Sequence, residues 1–416
     1  VSDLASGDLR SLTPEGPAAA GGRAFHPAWS PDGREIAYVS WSSEGGHLWR
    51  VRSNGRGNPT RVSERSGFYS EPAWTPEGDR ILALRASSYD RLYRENDWGW
   101  TIGSDLIWFD RRGGQPNLIA PSRGYQRPHF GPEADRVYLY NWNSGLSSMR
   151  FDGTDRRNHL AVKGPGILLT EEEVSANDIR LSPDGTHALV QHAYQLYLIR
   201  LLNPNLSGLS LSLANASLPM TRVTDIGADF FGWSEEGETV FWTVGNQLYE
   251  RPLASISFTE EDEDGEEKSG EERSEEENGE SADETAADES GGGSESEEIA
   301  ETHESVSSYA VALYRPRHEP SGTLVLRGAT LLSMEEGADP IADATVVIVN
   351  NRIDSVSSGA PREVPEGAEV VDLSGSYLLP GFVDTHAHHR LLRGILEDAN
   401  WGFLANLAYG VTTGLD

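Results

Sequence analysis

The sequence predicts a mainly β protein: a β-propeller, then a smaller group of alternating strands, then one strand, one helix and a second strand. Three observations predict it. An aromatic-or-apolar residue followed by a tight turn recurs five times between residues 29 and 237, the strand pattern changes at Gly322, and a Pro-Gly turn at 380–381 introduces a His-x-His pair ahead of a helical stretch.

The repeat is carried by Trp29-Ser30-Pro31-Asp32-Gly33, Trp74-Thr75-Pro76-Glu77-Gly78, Phe130-Gly131-Pro132-Glu133-Ala134, Leu181-Ser182-Pro183-Asp184-Gly185 and Trp233-Ser234-Glu235-Glu236-Gly237, with anchors 45, 56, 51 and 52 residues apart. That period suits one four-stranded blade per repeat. Proline pre-sets φ at the first central position of the turn, and glycine accepts the positive φ of a tight reversal. A strand-like run follows each anchor, at residues 35–39, 81–84, 137–140, 188–191 and 239–242. A second run follows in most repeats (47–51, 195–199), and then a shorter one (60–62, 220–223). A β-sandwich is the alternative architecture, but sandwich strands recur with turns every 8–12 residues and lack so long a period. Five turns in phase resemble the TolB-like propeller repeat. The propeller is assigned to residues 1–258, and Leu9 to Thr13 read as the last strand of an earlier blade, so the ring is expected to begin upstream.

Two stretches interrupt this pattern. Tyr89, Tyr93, Trp98 and Trp100 cluster with Arg91 and Arg94 in one long excursion, either a ligand platform or packing between blades. Residues 259–304 form an acidic low-complexity tract with too little apolar content to offset chain entropy, and are expected to be disordered. The acidic spacing there matches no calcium loop. The tract splits the last blade, with Gln247-Leu248-Tyr249 before it and Tyr309 to Tyr314 after it, and residues 305–321 are assigned to the last propeller strand and a linker.

From Gly322 come alternating strands at 323–327, 344–349, 353–356 and 368–373, assigned as a domain spanning 322–378. Residues 379–416 then hold the chemistry. Phe382 and Val383 after the Pro-Gly turn predict a short buried strand running into His386 and His388. Positions i and i+2 of a strand share a face, so both imidazoles can reach one cation at about 2.0–2.1 Å. Two exposed histidines at this spacing also arise by chance. Trp401 to Tyr409 predicts a helix closed by Gly410, and Val411-Thr412-Thr413 a second strand.

Pro380-Gly381-Phe382-Val383-Asp384-Thr385-His386-Ala387-His388, with Val370 to Gly375 before it and Leu407 to Thr413 after it, resembles the opening of the amidohydrolase superfamily. The resemblance implies that residues 322–378 are that family's small β-sandwich and that 379–416 begin a (β/α)8 barrel. It also implies that His386 and His388 bind a divalent metal, zinc or a similar ion, in one or two copies. Asp384 is expected to shape the turn, and His389 has no assigned role. The family's further ligands and its general base come from later strands; a barrel takes typically ~250 residues and 32 follow Asp384, so they are expected beyond Asp416. The implied activity is hydrolysis of an amide, ring amide or peptide-like C–N bond, with the propeller filtering substrate or binding a protein partner. The competing class is a non-catalytic propeller acting as a binding module.

Composition excludes several classes. The chain has no cysteine, hence no disulfide, thiolate metal site or cysteine nucleophile. Its net charge is −32, of which −20 lies in residues 260–304, which argues against a broad basic surface for nucleic acid. No stretch is apolar enough to span a membrane. No Gly-x-Ser-x-Gly elbow points to a serine peptidase. Fusions of this kind imply an exported, periplasmic location.

Overall fold

The computed structural model describes residues 4, 9–13, 23–42, 45–93, 103–166, 172–202, 208–215, 217–258, 305–311, 319–359, 364–387 and 401–415. The acidic tract therefore lies outside the described residues. The chain divides into two compact units, 1–311 and 312–416.

Among the described residues the first unit contains five blades in chain order, antiparallel except where β17 joins the third. Blade 1 is β1 (Arg23–Trp29), β2 (Glu35–Ser42), β3 (Gly45–Arg52) and β4 (Thr60–Arg61), and blade 2 is β5 (Phe68–Trp74), β6 (Arg80–Ala86), β7 (Ser104–Asp110) and β8 (Asn117–Pro121), with helix α1 (Ser88–Tyr93) between β6 and β7. Blade 3 begins with β9 (Gln126–His129), β10 (Arg136–Asn141), β11 (Gly145–Arg150) and β12 (Arg157–Gly164), to which β13 (Val174–Ser175) adds. Blade 4 is β14 (Asp178–Leu181), β15 (His187–His192), β16 (Gln195–Arg200) and β18 (Met220–Arg222); the intervening β17 (Leu209–Ser212) crosses back to pair in parallel with β12. Blade 5 is β19 (Phe230–Trp233), β20 (Thr239–Val244), β21 (Gln247–Pro252) and β22 (Ser307–Ala310), whose last strand pairs with β21 across the acidic tract.

The recurring turn explains why each blade starts as it does. Ser30 Oγ accepts the Glu35 N–H at 2.9 Å and donates to Asp32 Oδ1 at 2.6 Å, while Gly33 N donates to Ser30 O at 2.8 Å. Ser182 repeats all three bonds with His187, Asp184 and Gly185. Gly33, Gly78, Gly185 and Gly237 all have φ between 66° and 75°, the left-handed region that glycine enters without a Cβ penalty. Two tryptophans then tie one blade to the previous one. Trp74 Nε1 donates to Ala28 O at 3.0 Å and Trp233 Nε1 to Arg180 O at 3.3 Å.

The second strand of each blade is largely apolar along its middle, since both its faces are covered. On β6, Ile81 and Ala83 face a core shared with blade 1, including Val39 and Leu48, while Leu82 and Leu84 face one shared with Val137 and Leu139 of blade 3. On β15, Ala188 and Val190 pack against Tyr138 and Tyr140, and Leu189 packs against Trp242 and Val240. Residues 9–13 depart from expectation: they form no strand, only a bridge at Leu9, and Leu12 packs on Ile36, Tyr38 and Val51, the remaining face of blade 1.

The second unit differs from the expected sandwich. Strands β23 (Thr323–Leu331), β24 (Ile341–Val349), β25 (Arg352–Ser358), β26 (Glu369–Asp372) and β27 (Tyr377–Leu378) form one mixed sheet among the described residues. The long β23 is bulged on both sides of Ala329, and β26 and β27 pair in parallel with its first and second halves. One bent strand thus serves two edge partners. Beyond it, β28 (Phe382–Asp384) pairs in parallel with β29 (Val411–Gly414), and helix α2 (Trp401–Ala408) lies between them in sequence.

Ile81 is fully buried between two blades, so Ile81→Ala is expected to cost about 2–5 kcal/mol of unfolding free energy in a denaturant titration.

Candidate metal centre and the first-strand network

The β28–β29 pair is built around a close approach. A Cβ at Gly381 would lie 2.2 Å from Thr412 Oγ1, so glycine is required there for the two strands to meet. Phe382 N donates to Gly410 O at 2.8 Å, Leu415 N to Asp384 O at 2.9 Å and Ala387 N to Leu415 O at 2.8 Å. Gly410, at φ 82°, closes α2 with an N–H to Leu407 O at 3.0 Å and turns the chain into β29.

His386 stands at the carboxyl end of this parallel pair, the edge where open α/β sheets and barrels place their ligands. It does so from a turn. The strand ends at Asp384, and Thr385 and His386 reverse away from it. The i, i+2 alternation that was to align His386 with His388 therefore does not operate at His386. Asp384 shapes this turn, accepting the His386 N–H on Oδ1 at 3.1 Å. His388 and His389 lie outside the described residues, as do Arg94, Trp98 and Trp100.

The strand is also exposed where burial was expected, with Phe382 56% and Val383 60% accessible. The cause is the number of neighbours: β28 has β29 on one edge, and parallel strands become buried only when both faces are covered. Among the described residues no three His, Asp or Glu side chains converge as a metal site. The described part supplies one imidazole, a donor type suited to zinc, and a structural or catalytic zinc needs at least three protein ligands.

Of the aromatic cluster, Arg91 belongs to packing. It is 5% exposed and its guanidinium lies 5.3 Å from the Phe68 ring centroid, whereas Tyr89 is exposed.

A second group of chemistry-bearing residues was missed from the sequence. In the first three blades the residue three positions before the anchor precedes a proline: His26-Pro27, Glu71-Pro72 and Arg127-Pro128. All three sit at positive φ (46°, 51°, 57°), and all three dipeptides interrupt the strand register as bulges. The repeated X-Pro was the available signal. Glu71 N donates to His26 Nδ1 at 3.2 Å, and Arg127 N donates to Glu71 Oε2 at 2.6 Å. The Arg127 guanidinium then pairs with Glu71 at 3.4 Å and Asp178 at 3.7 Å. Asp178 Oδ2 accepts from Arg180 Nε at 3.0 Å, and Arg180 Nη1 donates to Phe231 O at 2.6 Å. One polar network thus crosses the first strands of all five blades. His129 braces it, with Nδ1–H donating to Arg127 O at 2.8 Å and Nε2 accepting the Leu181 N–H at 3.1 Å. Burial pushes this imidazole down to about 4, as an Nε2 acceptor requires.

No protein-family model matches the chain. It is 39% identical over 72 residues to 5-methylthioadenosine/S-adenosylhomocysteine deaminase from Bacillus thuringiensis (strain Al Hakam), and equally so to that from Bacillus cereus (strain AH820); the match covers 17% of this chain and 17% of each relative. The chain thus spans a minor part of the curated relatives it matches. Similar solved structures include TolB from Acinetobacter baumannii (14% identity, TM-score 0.38, 56% of this chain and 52% of that one) and a putative TolB from Agrobacterium tumefaciens (15%, 0.39, 61% and 83%). Among the described residues no helix is long and apolar enough to cross a membrane.

Two outcomes are expected. Gly381→Ala should speed amide hydrogen exchange at Phe382 and Leu415, the two cross-strand donors, with Thr412→Ala in the same chain partly restoring protection, since Thr412 Oγ1 is the nearest obstacle. Stability should also fall as pH drops from 6.5, the ordinary imidazole value, toward about 4, because the unfolded chain then takes up a proton that folded His129 refuses. The loss attributable to His129 is on the order of 2 kcal/mol, reduced from the full linkage value for its partial exposure, and His129→Gln should flatten that part of the pH profile.

Proposed function

We propose that this chain is part of a metal-dependent hydrolase acting on a C–N bond of an amide, ring amide or peptide-like substrate, with His386 and His388 as metal ligands. The observation that carries the reading is the parallel β28–β29 pair, which holds His386 at its carboxyl edge. The local match to deaminases, whose name describes removal of an amino group, supports the reaction class. In this reading Asp384 fixes the turn so that the imidazoles present themselves beyond the strand end, and Gly381 lets the second strand close against the first.

A divalent metal held there, zinc by the donor type, would supply a nucleophilic water at neutral pH. The further ligands and the general base are not among the described residues. The five blades form a separate unit that filters substrate or engages a protein partner, and an exported location belongs to the same proposal.

Zinc titration of the native chain by calorimetry tests the assignment. Saturable binding that is lost in His386→Ala and in His388→Ala is the expected result. Equal zinc binding by native and variant chains would remove these histidines from the metal site.

A further inference from the structure

The network across the first strands is loosely held at one contact, Arg127 with Asp178. Between blades 1 and 2, and between blades 2 and 3, a backbone N–H makes a directed bond to the neighbour's side chain. Between blades 3 and 4 the Leu181 N–H donates to His129 Nε2 at 3.1 Å, but at the Arg127 position itself the link is the Arg127–Asp178 ion pair, at 3.7 Å. The Arg127 guanidinium makes no directed hydrogen bond among the described residues, and its side chain is 44% exposed. Asp178 is 3% exposed, and its Oδ1 is buried with no donor. A buried carboxylate oxygen without a donor costs free energy, and the loosely held Arg127 is the side chain beside it that can move. Donor and acceptor capacity are therefore left over side by side.

The surroundings define what fits. Glu71 and Asp178 balance Arg127 and Arg180, and burial of His26 lowers its proton affinity, so the cluster is neutral as it stands. An anion would add uncompensated charge beside two carboxylates, and a cation beside two guanidinium groups. A neutral group offering one C=O and one N–H on the same side satisfies both leftovers. One residue of an extended polypeptide does this, since its own N–H and C=O point to the same edge. Large exposed side chains lie at this end of the blades. Trp142 (44%) is in the β10–β11 turn, whose Asn141 bonds Arg123 just before β9. Tyr194 (74%) is in the β15–β16 turn, whose Ala193 bonds Asn177 just before Asp178. Phe230 (72%) opens β19. Aromatic side chains around a polar centre are the usual composition of a polypeptide-binding surface.

We propose that the Arg127–Asp178 junction is a binding site for an extended, uncharged segment of polypeptide. Arg127 swings outward to donate to the C=O of one ligand residue, Asp178 Oδ1 accepts that residue's N–H, and neighbouring ligand side chains lie on Trp142, Tyr194 and Phe230. The site lies wholly within the first unit and stands whether or not the second unit binds metal.

The test uses the native chain and the blocked pentapeptide N-acetyl-Ala-Ala-Phe-Ala-Ala-amide, titrated by calorimetry. Saturable binding is expected. The matching depsipeptide, in which an ester oxygen replaces the central N–H, should bind about tenfold more weakly, the value of one hydrogen bond. Because this comparison uses unaltered protein, it does not depend on a variant folding. Arg127→Lys keeps the charge but removes the planar fork, and Phe230→Ala removes an exposed ring; each should weaken binding with an unchanged circular dichroism spectrum and melting temperature. Absence of saturable binding, equal affinity for peptide and depsipeptide, or displacement of the peptide by a small ring amide such as hydantoin at lower concentration would each overturn the proposal.

Discussion

A four-stranded blade has two apolar faces and can bury neither by itself, and the first unit is organised around that constraint. Each second strand must be apolar along its middle, since alternate residues serve the cores on its two sides, as Ile81 and Leu82 show. The blades are consequently interdependent: removing one would expose a face on each of its neighbours. Polar links between blades sit where they supplement this burial. Glu35, 7% exposed on β2, bonds Arg50 of its own blade and Arg111 of the next. Strand β17, leaving blade 4 to pair with β12 of blade 3, fastens the same kind of boundary by backbone hydrogen bonds.

What was legible in the sequence was what the chain decides locally. The Ser-Pro-Asp-Gly turn closes through bonds spanning at most five residues, so its recurrence could be read directly. The third repeat, with Gly131 and Ala134, looks degenerate in sequence but has a reason in packing. A Cβ at 131 would come within 2.9 Å of Tyr138 Cε2 and 3.0 Å of Leu181 Cδ2, so the serine found elsewhere has no room. The charged network was not legible for the opposite reason. His26, Glu71, Arg127 and Asp178 are each about one repeat apart, and nothing in a local window reports that their side chains meet.

The second unit shows the same division. Strand, helix and strand around 382–414 followed from local signals, because Gly381 and Gly410 mark the close approach and the helix end. Burial did not follow, since a strand's burial depends on partners that its own residues do not encode. His386 itself stands in a turn rather than in the strand, with its N–H bonded to Asp384 Oδ1, a local bond that strand alternation does not foresee, and His388 lies outside the described residues.

The weak junction in the first-strand network has a cause in the strands themselves. Non-glycine residues at positive φ cost roughly 1–2 kcal/mol each, and the position before proline is restricted further. His26, Glu71 and Arg127 accept that cost together with a bulge, and in return the N–H groups of Glu71 and Arg127 leave the ladder and turn toward the preceding blade. Blade 4 has neither proline nor bulge, and Asp178 pairs regularly with Gln191. Its backbone N–H remains committed to its own sheet and cannot reach Arg127. Bulged and regular first strands therefore meet at Arg127 and Asp178: the directed backbone bond across this boundary comes later along the strands, from Leu181 to His129, and the Arg127–Asp178 contact is left to two side chains with hydrogen-bonding capacity to spare.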